Sequence, residues 1–401
     1  MVAVVAGPDA GHAFPALGLA AQFAAAGDDA VVYTGTRWLA DGARCGVEVR
    51  ELPGLVALPG EDDEDAGAKL SARAARMALA LAPELAEAGV DLVISDVITR
   101  AGGWAAELVG IPWIELSPHP LYEQSRGLPP IGAGMDVGIG VRGRLRDVAL
   151  RVMSAPSAAD GRRSTALARR SIGLSDVPEP AARFVATLPG LEVHRPDWPA
   201  RTHVIGPLAY EPTDAVFATP DGGGPLVVVA PSTAKSGEGD LGKAALDGLA
   251  DLARRREIRV VYSALTPPPD NAATPDAFVA GTARQDEVLS RAAVAVCGAG
   301  HGMLAKALLA GVPVVTVPGG GDQWELANRV LRAGCGVVVR PADAGAIASA
   351  VARVLDDDAF AAAARGVAAT NHATVDPVRV AHRTLDRAST TRERRTARAA
   401  D

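Results

Sequence analysis

The sequence predicts an α/β protein built from two similar halves, each with a parallel sheet covered by helices. Its 401 residues suit two domains. Short apolar runs alternate with helical stretches, which is typical of βαβ units. A stretch rich in Gly, Pro and Asp at 206–224 interrupts this alternation near the midpoint. We therefore predict an N-terminal α/β domain over 1–205, a linker over 206–224 and a C-terminal α/β domain over 225–375. A helix or tail over 376–401 could cross back to the N-terminal domain.

The first half begins with a buried strand and continues as alternating strands and helices. The predicted strands are Val2–Ala6, Val31–Thr34, Val47–Leu52, Asp91–Ser95 and Pro112–Leu116. The predicted helices are His12–Ala26, Ala66–Ala88, Arg100–Val109, Arg142–Ser154 and Ala158–Ile172. Several prolines and glycines exclude a long helix or a central strand from residues 117–140. A long irregular loop inside a compact domain is often functional.

The second half repeats this alternation after the linker. Its predicted strands are Leu226–Ala230, Val260–Ser263, Val294–Cys297, Val314–Val317 and Val337–Val339. Its predicted helices include Leu241–Arg255, His301–Ala310 and Asp322–Ala333. Open parallel sheets bind ligands outside the carboxyl ends of their strands. Two such sheets that face each other form a cleft, which suits an enzyme with one substrate on each domain.

Composition excludes several classes of protein. With 48% hydrophobic and 22% charged residues, the chain is not broadly disordered. A net charge of −7 lacks the broad basic footprint of a nucleic-acid-binding protein, and the Arg-rich run 383–398 is interpreted as a solvated end. Cys45, Cys297 and Cys335 have no metal-ligand spacing, so we expect neither disulfides nor zinc. The sequence shows no secretory signal and no apolar run of about 18 residues, so we expect a cytoplasmic protein without a membrane span.

Glycine-rich turns and one polar pair are the candidates for chemistry. The turn at 298–303 follows a predicted strand, and backbone N–H groups at the next helix start would favour a phosphate. A tight turn without any ligand is the alternative. Asp322 and Gln323 begin another predicted helix, where they could bind several sugar hydroxyls. The alternative for Asp322 is a helix N-cap.

Two segments carry a resemblance to a known family. GHAFPALGLA at 11–20, followed by GAGHGMLAKALLAGVPVVTVPGGGDQWELANRV at 298–330, resembles the GT-B glycosyltransferases that decorate bacterial natural products. The order and spacing hold across nearly the whole chain. The resemblance implies the GT-B architecture, in which two Rossmann-like domains face each other across a cleft. It also implies that the N-terminal domain receives an acceptor and the C-terminal domain a nucleotide-diphosphate sugar.

The resemblance implies an inverting hexosyltransferase with His12 as general base and Asp96 as its partner carboxylate. A neutral imidazole can accept a hydroxyl proton near pH 7, and a carboxylate on its other nitrogen fixes the tautomer. The substrates would be a UDP- or dTDP-sugar and a small hydrophobic acceptor. Oxygen is the default nucleophile, and an electron-rich aromatic carbon is an open alternative. No bound cofactor and no metal are expected.

Family donor-binding positions fall mainly in the C-terminal half. They are Ser232, Thr233, Thr282, Arg284, Gln285, Gly298, Gly300, His301, Gly302, Met303, Asp322 and Gln323. Four positions depart from the family pattern, namely Gly298 for His, Thr282 for Trp, Met303 for Thr and Leu326 for Asn. His301 could replace the missing histidine, and Arg284 could stack on the base through its planar guanidinium.

The loop 117–140 lies where the family builds its acceptor pocket. Candidate lining residues are Trp104, His119, Tyr122 and Met135. We also expect the two domains to close about the linker, because two substrates must meet and water must be excluded. The protein would be a monomer or a homodimer.

Three alternative functions stay open. The altered donor positions are compatible with a non-catalytic homologue that acts as an activator or scaffold. Gly298, Gly300 and Gly302, with Asp322 20 residues later, resemble the fingerprint of a dinucleotide-dependent oxidoreductase. A nucleotide-sugar epimerase of the same fold is the third.

Overall fold

The computed structural model describes residues 1–58, 66–130, 133, 135–193, 195–231 and 240–400. Its first sheet has seven parallel strands in the order β3-β2-β1-β4-β5-β6-β7. The strands are β1 (Val2–Val5), β2 (Ala30–Thr34), β3 (Glu48–Glu51), β4 (Leu92–Asp96), β5 (Trp113–Ser117), β6 (Ala182–Val185) and β7 (Thr202–Val204).

Helices cover both faces of this sheet because its strands are apolar on both sides. They are α1 (Ala10–Ala25), α2 (Gly42–Cys45), α3 (Ala66–Glu87), α4 (Ala101–Val109) and α5 (Gly140–Ser171). Along β1, Val2 and Val4 pack into one core cluster, whereas Ala3 and Val5 pack into another on the opposite face. This alternation follows from the two-residue period of a strand, and burial on both faces explains its continuous apolar run.

The second sheet has six parallel strands in the order β10-β9-β8-β11-β12-β13. The strands are β8 (Leu226–Ala230), β9 (Arg259–Ser263), β10 (Phe278–Gly281), β11 (Val294–Cys297), β12 (Val314–Thr316) and β13 (Gly336–Val338). The helices are α6 (Leu241–Ala253), α7 (Gln285–Leu289), α8 (His301–Leu309), α9 (Asp322–Ala333), α10 (Ala344–Asp356), α11 (Asp358–Ala369) and α12 (Pro377–Ala400).

Both sheets reverse their strand order next to the first strand, and this feature positions the candidate site. β1 pairs with β2 on one side and β4 on the other, and β8 pairs likewise with β9 and β11. Ligands of doubly wound sheets bind at such switch points, beyond the carboxyl ends of the strands. The predicted α/β class with two Rossmann-like domains is confirmed.

The last helix packs on the first domain. Val378, Val380 and Ala381 of α12 belong to the core cluster beneath β1. His382 Nε2 lies 2.9 Å from an oxygen of Asp28. The chain therefore returns to its N-terminal half after the second sheet. In the part of the chain that the structure describes, no helix combines the length and the apolar character needed to cross a membrane.

Several elements differ from the sequence predictions, among them the short helices α2 and α7, which were not predicted. The two helices expected between 142 and 172 form one helix, α5, which continues through Pro156. Pro156 is exposed, and a proline there removes only one backbone donor from a long helix. The strands β6, β7 and β10 were not predicted, because each is only three or four residues long and includes Thr, His, Arg or Gly.

Candidate active site in the interdomain cleft

His12 and Asp96 meet at the switch point of the first sheet. His12 lies in the first turn of α1, directly after β1, and Asp96 is the last residue of the neighbouring strand β4. His12 Nδ1 is 3.0 Å from Asp96 Oδ1. The other oxygen, Oδ2, accepts hydrogen bonds from Thr99 Oγ1 at 2.9 Å and from Thr99 N at 3.3 Å. The buried carboxylate is therefore held on both sides. Among the described residues, no hydrogen-bond partner is found for Nε2, the other ring nitrogen of His12.

Electrostatics make His12 a stronger base than an isolated imidazole. Burial by itself lowers the pKa of His12, but the hydrogen bond and charge of Asp96 outweigh it, with smaller contributions from Asp9 and Asp322. The pKa of His12 therefore lies above 6.5. Asp322 begins α9 of the second domain, so a carboxylate of that domain lies close enough to His12 to influence its pKa.

His119 and Tyr122 lie beside this pair, in the loop after β5. Their rings stack with centroids 4.2 Å apart. His119 Nδ1 is 2.8 Å from the carbonyl oxygen of Pro120, so this nitrogen donates and Nε2 is left as an acceptor. Burial lowers the pKa of His119 and keeps the ring neutral. Tyr122 packs against the core of the second domain. The stacked rings therefore lie at the boundary between the two domains, and their contact with an acceptor stays a prediction.

The other two predicted acceptor residues lie differently. Trp104 is 1% exposed within a core cluster of the first domain, and the guanidinium of Arg169 lies 5.5 Å from its ring centroid. This burial contradicts the prediction that Trp104 lines the acceptor pocket, because α4 directs the side chain into the core. Met135 is half-buried in the loop before α5.

The start of α8 leaves space for a phosphate. Gly300 precedes the helix, and Gly302 lies in its first turn. A Cβ added at either glycine would have no atom within 4 Å. Ala299 has a φ of 59°, which turns the backbone sharply between the buried Gly298 and the helix. The first N–H groups of α8 can therefore be approached closely by an anion.

His301 does not fill the position of the missing family histidine. Its Nε2 is 3.0 Å from Thr187 Oγ1 of the first domain, and its side chain also contacts the backbone of Pro118. Burial lowers the pKa of His301 to about 3, so the ring is neutral. The prediction that its side chain contacts the diphosphate is contradicted, because the ring is buried between the domains. Its backbone N–H, at the first position of α8, is still available.

Gln285 is held at the start of α7. Its Nε2 lies 3.3 Å from Ser263 Oγ, and its Oε1 accepts from Lys306 Nζ at 3.1 Å. Arg284 pairs with Asp286, with Nε 3.0 Å from Oδ1. Thr282 is exposed and donates to the carbonyl of Ala264 at 2.8 Å. All three predicted nucleoside-binding residues, Thr282, Arg284 and Gln285, are thus already engaged with protein groups.

Asp322 and Gln323 differ in how far their side chains are exposed. Asp322 is exposed at the first position of α9. Gln323 is 4% exposed, and its Oε1 accepts from Gly319 N at 2.8 Å, which fixes the glycine loop before the helix. Of the two side chains, that of Asp322 is therefore the one accessible to solvent.

Of the three remaining predicted donor-site residues, the structure describes Met303 alone. Met303 is half-buried against the core of the second domain. Ser232 and Thr233 lie outside the described residues. Among the residues described, no cluster of His, Cys, Asp or Glu could hold a metal ion.

Several site residues escaped the sequence analysis. Thr99 holds Asp96, and its place three residues after the carboxylate is a local signal for such a contact. Thr187 contacts His301 from 114 residues away. Lys306 donates to the carbonyl of Tyr210 at 2.9 Å and thereby joins α8 to the linker. No local sequence pattern predicts the contacts made by Thr187 and Lys306.

Comparisons with known proteins agree with this architecture. Residues 256–386 match the family model for the C-terminal domain of erythromycin biosynthesis protein CIII-like proteins. The chain is 28% identical over 315 residues to 4'-demethylrebeccamycin synthase of Lentzea aerocolonigenes, covering 72% of each chain.

Solved structures extend the similarity of fold over almost the whole chain. A glycosyltransferase of Streptomyces sp. SF2575, complexed with thymidine diphosphate, superposes with a TM-score of 0.67 at 20% identity, covering 95% of this chain and 99% of that one. A spinosyn rhamnosyltransferase complexed with spinosyn aglycone gives 0.69 at 20% identity, covering 96% and 99%. The predicted resemblance is confirmed at the level of fold: the chain shares the two-domain architecture of these glycosyltransferase structures, and its residues 256–386 are similar to the EryCIII-like C-terminal domain.

Proposed function

We propose that the protein is an inverting glycosyltransferase that transfers a hexosyl group from a UDP- or dTDP-sugar to a small hydrophobic acceptor. One observation carries this proposal. The His12–Asp96 pair stands at the switch point of the first sheet, and the Asp322 carboxylate of the second domain lies near enough to help raise the pKa of His12. A base on one domain and a donor-binding carboxylate on the other are what transfer between two separately bound substrates requires.

The reaction follows from this placement. Nε2 of His12 takes the proton of an acceptor hydroxyl, and Asp96 stabilises the imidazolium that forms. The acceptor oxygen attacks the anomeric carbon on the face opposite the diphosphate, so the configuration inverts. Negative charge that develops on the departing diphosphate is stabilised by the N–H groups at the start of α8.

The relatives support the two substrate classes. The Streptomyces sp. SF2575 enzyme was solved with thymidine diphosphate, which favours a nucleotide-diphosphate donor here. The spinosyn enzyme was solved with an aglycone, which favours a hydrophobic acceptor. His119 offers an acceptor nitrogen for a substrate hydroxyl beside the apolar ring face of Tyr122.

The dinucleotide alternative is disfavoured by topology. In a dinucleotide-binding fold the glycine-rich turn follows the first strand of the sheet. Here the turn at 298–303 follows β11, the fourth strand of the second sheet. One observation favours the non-catalytic alternative. The side chain of His301 contacts Thr187 of the first domain and not the proposed diphosphate site.

A two-stage experiment tests the proposal. Thermal stabilisation by UDP, dTDP, GDP and NAD first identifies the nucleotide, because a ligand that binds the native state raises its stability. Turnover of the matching sugar nucleotides with a panel of phenolic and polyketide acceptors is then followed by mass spectrometry. Formation of a glycoside with inverted anomeric configuration is expected. Stabilisation by NAD alone, or donor binding without any turnover, would contradict the proposal.

Gly302→Ala is expected to weaken dTDP or UDP binding by about 10-fold or more without destabilising the fold. The new Cβ meets no protein atom, and alanine favours a helix over glycine by about 1 kcal/mol. The added methyl occupies space that we assign to the diphosphate. Calorimetric titration and thermal melting measure the two effects separately. Gly366→Ala in α11, which also meets nothing within 4 Å, is the control.

Asp322→Ala is expected to raise KM for the sugar nucleotide by about 10-fold, as the loss of a charge-assisted hydrogen bond to sugar hydroxyls would. Affinity for the free nucleoside diphosphate should change little, because that ligand lacks the sugar. Initial-rate kinetics and titration with dTDP or UDP measure the two quantities. An equal loss in both would assign Asp322 to the nucleotide instead. Asp343→Ala, at the N-cap of α10, removes a carboxylate from another helix start as a control.

A further inference from the structure

The helix α5 carries a large apolar stripe on its outward side. Val141, Leu145, Val148 and Val152 are between 47% and 76% exposed. Their spacing of four, three and four residues places them along one side of the helix. Asp147, which lies on the opposite side, is buried. Contiguous exposed apolar surface of this kind marks interaction sites in soluble proteins.

The same helix concentrates positive charge in an acidic protein. Its eight arginines and two aspartates give a formal charge of +6, whereas the whole chain carries −7, so the remainder is at −13. Arg142, Arg144 and Arg162 are exposed, and no ion pair is seen for them among the residues described. At about 100° per residue, Arg142 and Arg144 flank the stripe on its two sides.

The stripe adjoins the loop that borders the cleft. Gly138 N donates to Asp147 Oδ2 at 2.7 Å, and Arg151 Nη1 donates to the carbonyl of Leu128 at 2.5 Å. Both contacts join the first half of α5 to the loop that carries His119. A surface that covers the stripe would therefore lie next to the proposed acceptor side of the cleft.

We propose that α5 docks the protein on an anionic lipid surface. The aliphatic stripe would enter the boundary between headgroups and acyl chains, and Arg142, Arg144 and Arg162 would contact lipid phosphates. Arginine stems can lie along apolar surface while their guanidinium groups reach the headgroups. The net negative charge of the remaining chain is repelled by the same surface, which orients the protein with α5 toward the lipid.

Charge and composition favour lipid over other occupants. A second copy of the chain would bring another helix of charge +6 against the first, which is repulsive. Protein interfaces are usually anchored by Trp, Tyr or Arg in pockets, whereas Val and Leu are under-represented among such anchors. The stripe contains no aromatic side chain. A lipid surface needs no matching pocket and accepts aliphatic side chains.

This docking would serve the proposed reaction, although it does not depend on it. A hydrophobic acceptor dissolved in the bilayer could reach the loop after β5 without crossing water. Lipid binding can be measured without donor or acceptor, so failure of the docking proposal and failure of the proposed glycosyl transfer remain distinguishable.

Vesicle co-sedimentation tests the proposal with the full-length protein. We expect binding to vesicles of phosphatidylcholine with phosphatidylglycerol, and little binding to phosphatidylcholine alone. Replacing Arg142, Arg144 and Arg162 by Gln should weaken binding about fivefold for each charge at low salt. No binding to the anionic vesicles, or binding that these changes leave intact, would overturn the proposal.

A second variant tests the apolar stripe itself. Leu145→Ser with Val152→Ser should reduce binding to anionic vesicles at least about 10-fold, because two aliphatic side chains no longer enter the boundary. The control is Val177→Ser with Val216→Ser, which changes two exposed valines elsewhere and should leave binding unchanged. Equal losses in both double variants would overturn the assignment. Circular dichroism and melting verify that each variant folds.

Two further measurements discriminate between lipid and protein occupants. Light scattering that shows a dimer lost on Leu145→Ser would assign the stripe to a second copy and overturn the proposal. Binding of poly-glutamate without binding of anionic vesicles would assign the exposed arginines of α5 to an acidic protein partner. This result would also overturn the proposal. A monomer that sediments with the anionic vesicles supports lipid docking.

Discussion

His12→Ala is expected to lower kcat/KM for glycosyl transfer by about 10²–10⁴-fold, the contribution typical of a positioned general base. The acceptor hydroxyl would have to lose its proton to water, because no other neutral imidazole among the described residues is paired with a buried carboxylate at the cleft. Nucleotide binding should change little, since the proposed donor contacts lie on the second domain. Initial rates at saturating donor, together with dTDP or UDP titration, measure both effects.

His382→Ala provides a matched control for this variant. His382 also contacts an aspartate, Asp28, but this pair joins α12 to the first domain at the surface. Its loss removes a histidine–aspartate contact without changing the cleft, so activity should stay within about twofold, since exposed ion pairs contribute little. If both variants lose activity equally, the loss reflects general stability. If neither does, His12 is not the base.

The scaffold was predictable because strongly apolar strands have few alternatives. Central strands such as β1 and β8 are continuous apolar runs, and burial on both faces leaves no other position for them. The strands β7 and β10 were missed because they lie at sheet edges and are only three and four residues long. An edge strand forms only where its residues pair in register with the neighbouring strand. The local sequence carries no information about that pairing.

Within the candidate site, backbone placement was more predictable than side-chain direction. His12 and Asp96 follow adjacent strands, so the topology alone brings them together. The orientations of Trp104 and His301 depend on partners far along the chain, Arg169 and Thr187. Neither contact leaves a signal in a local motif. The motif correctly located the start of α8 but not which of its groups faces a ligand.

Polar contacts join the two halves that are expected to close about the linker. Lys306 of α8 contacts both Glu211 and the carbonyl of Tyr210, and Arg329 of α9 lies 2.9 Å from Glu192 of the first domain. These contacts cross from the second domain to the linker and the first domain. Closure about the linker stays a prediction, and it requires these polar contacts to be kept or exchanged as the cleft narrows.

Asp96→Asn is expected to lower activity by about 10³–10⁴-fold, as in other dyads where the orienting carboxylate becomes an amide. If the amide NH2 of the new side chain faces His12, Nδ1 of the ring must accept a hydrogen bond from it. The ring proton of the neutral imidazole then lies on Nε2. The ring can then no longer take a proton from the acceptor. Thr99 can still donate to the amide oxygen, so the fold should be preserved.

The pH profile of this variant separates the role of Asp96 from a structural one. In the wild type, Asp96 raises the pKa of His12 above 6.5, and only the deprotonated ring is active, so kcat/KM should fall as pH decreases through that raised pKa. Without Asp96 the burial of the ring, which lowers its pKa, is opposed only weakly by Asp9 and Asp322. The acidic limb of the residual activity should therefore move to lower pH. An acidic limb at unchanged pH would show that a group other than His12 sets the pH dependence. As a control, Asp28→Asn should leave both the acidic limb and the rate as in the wild type.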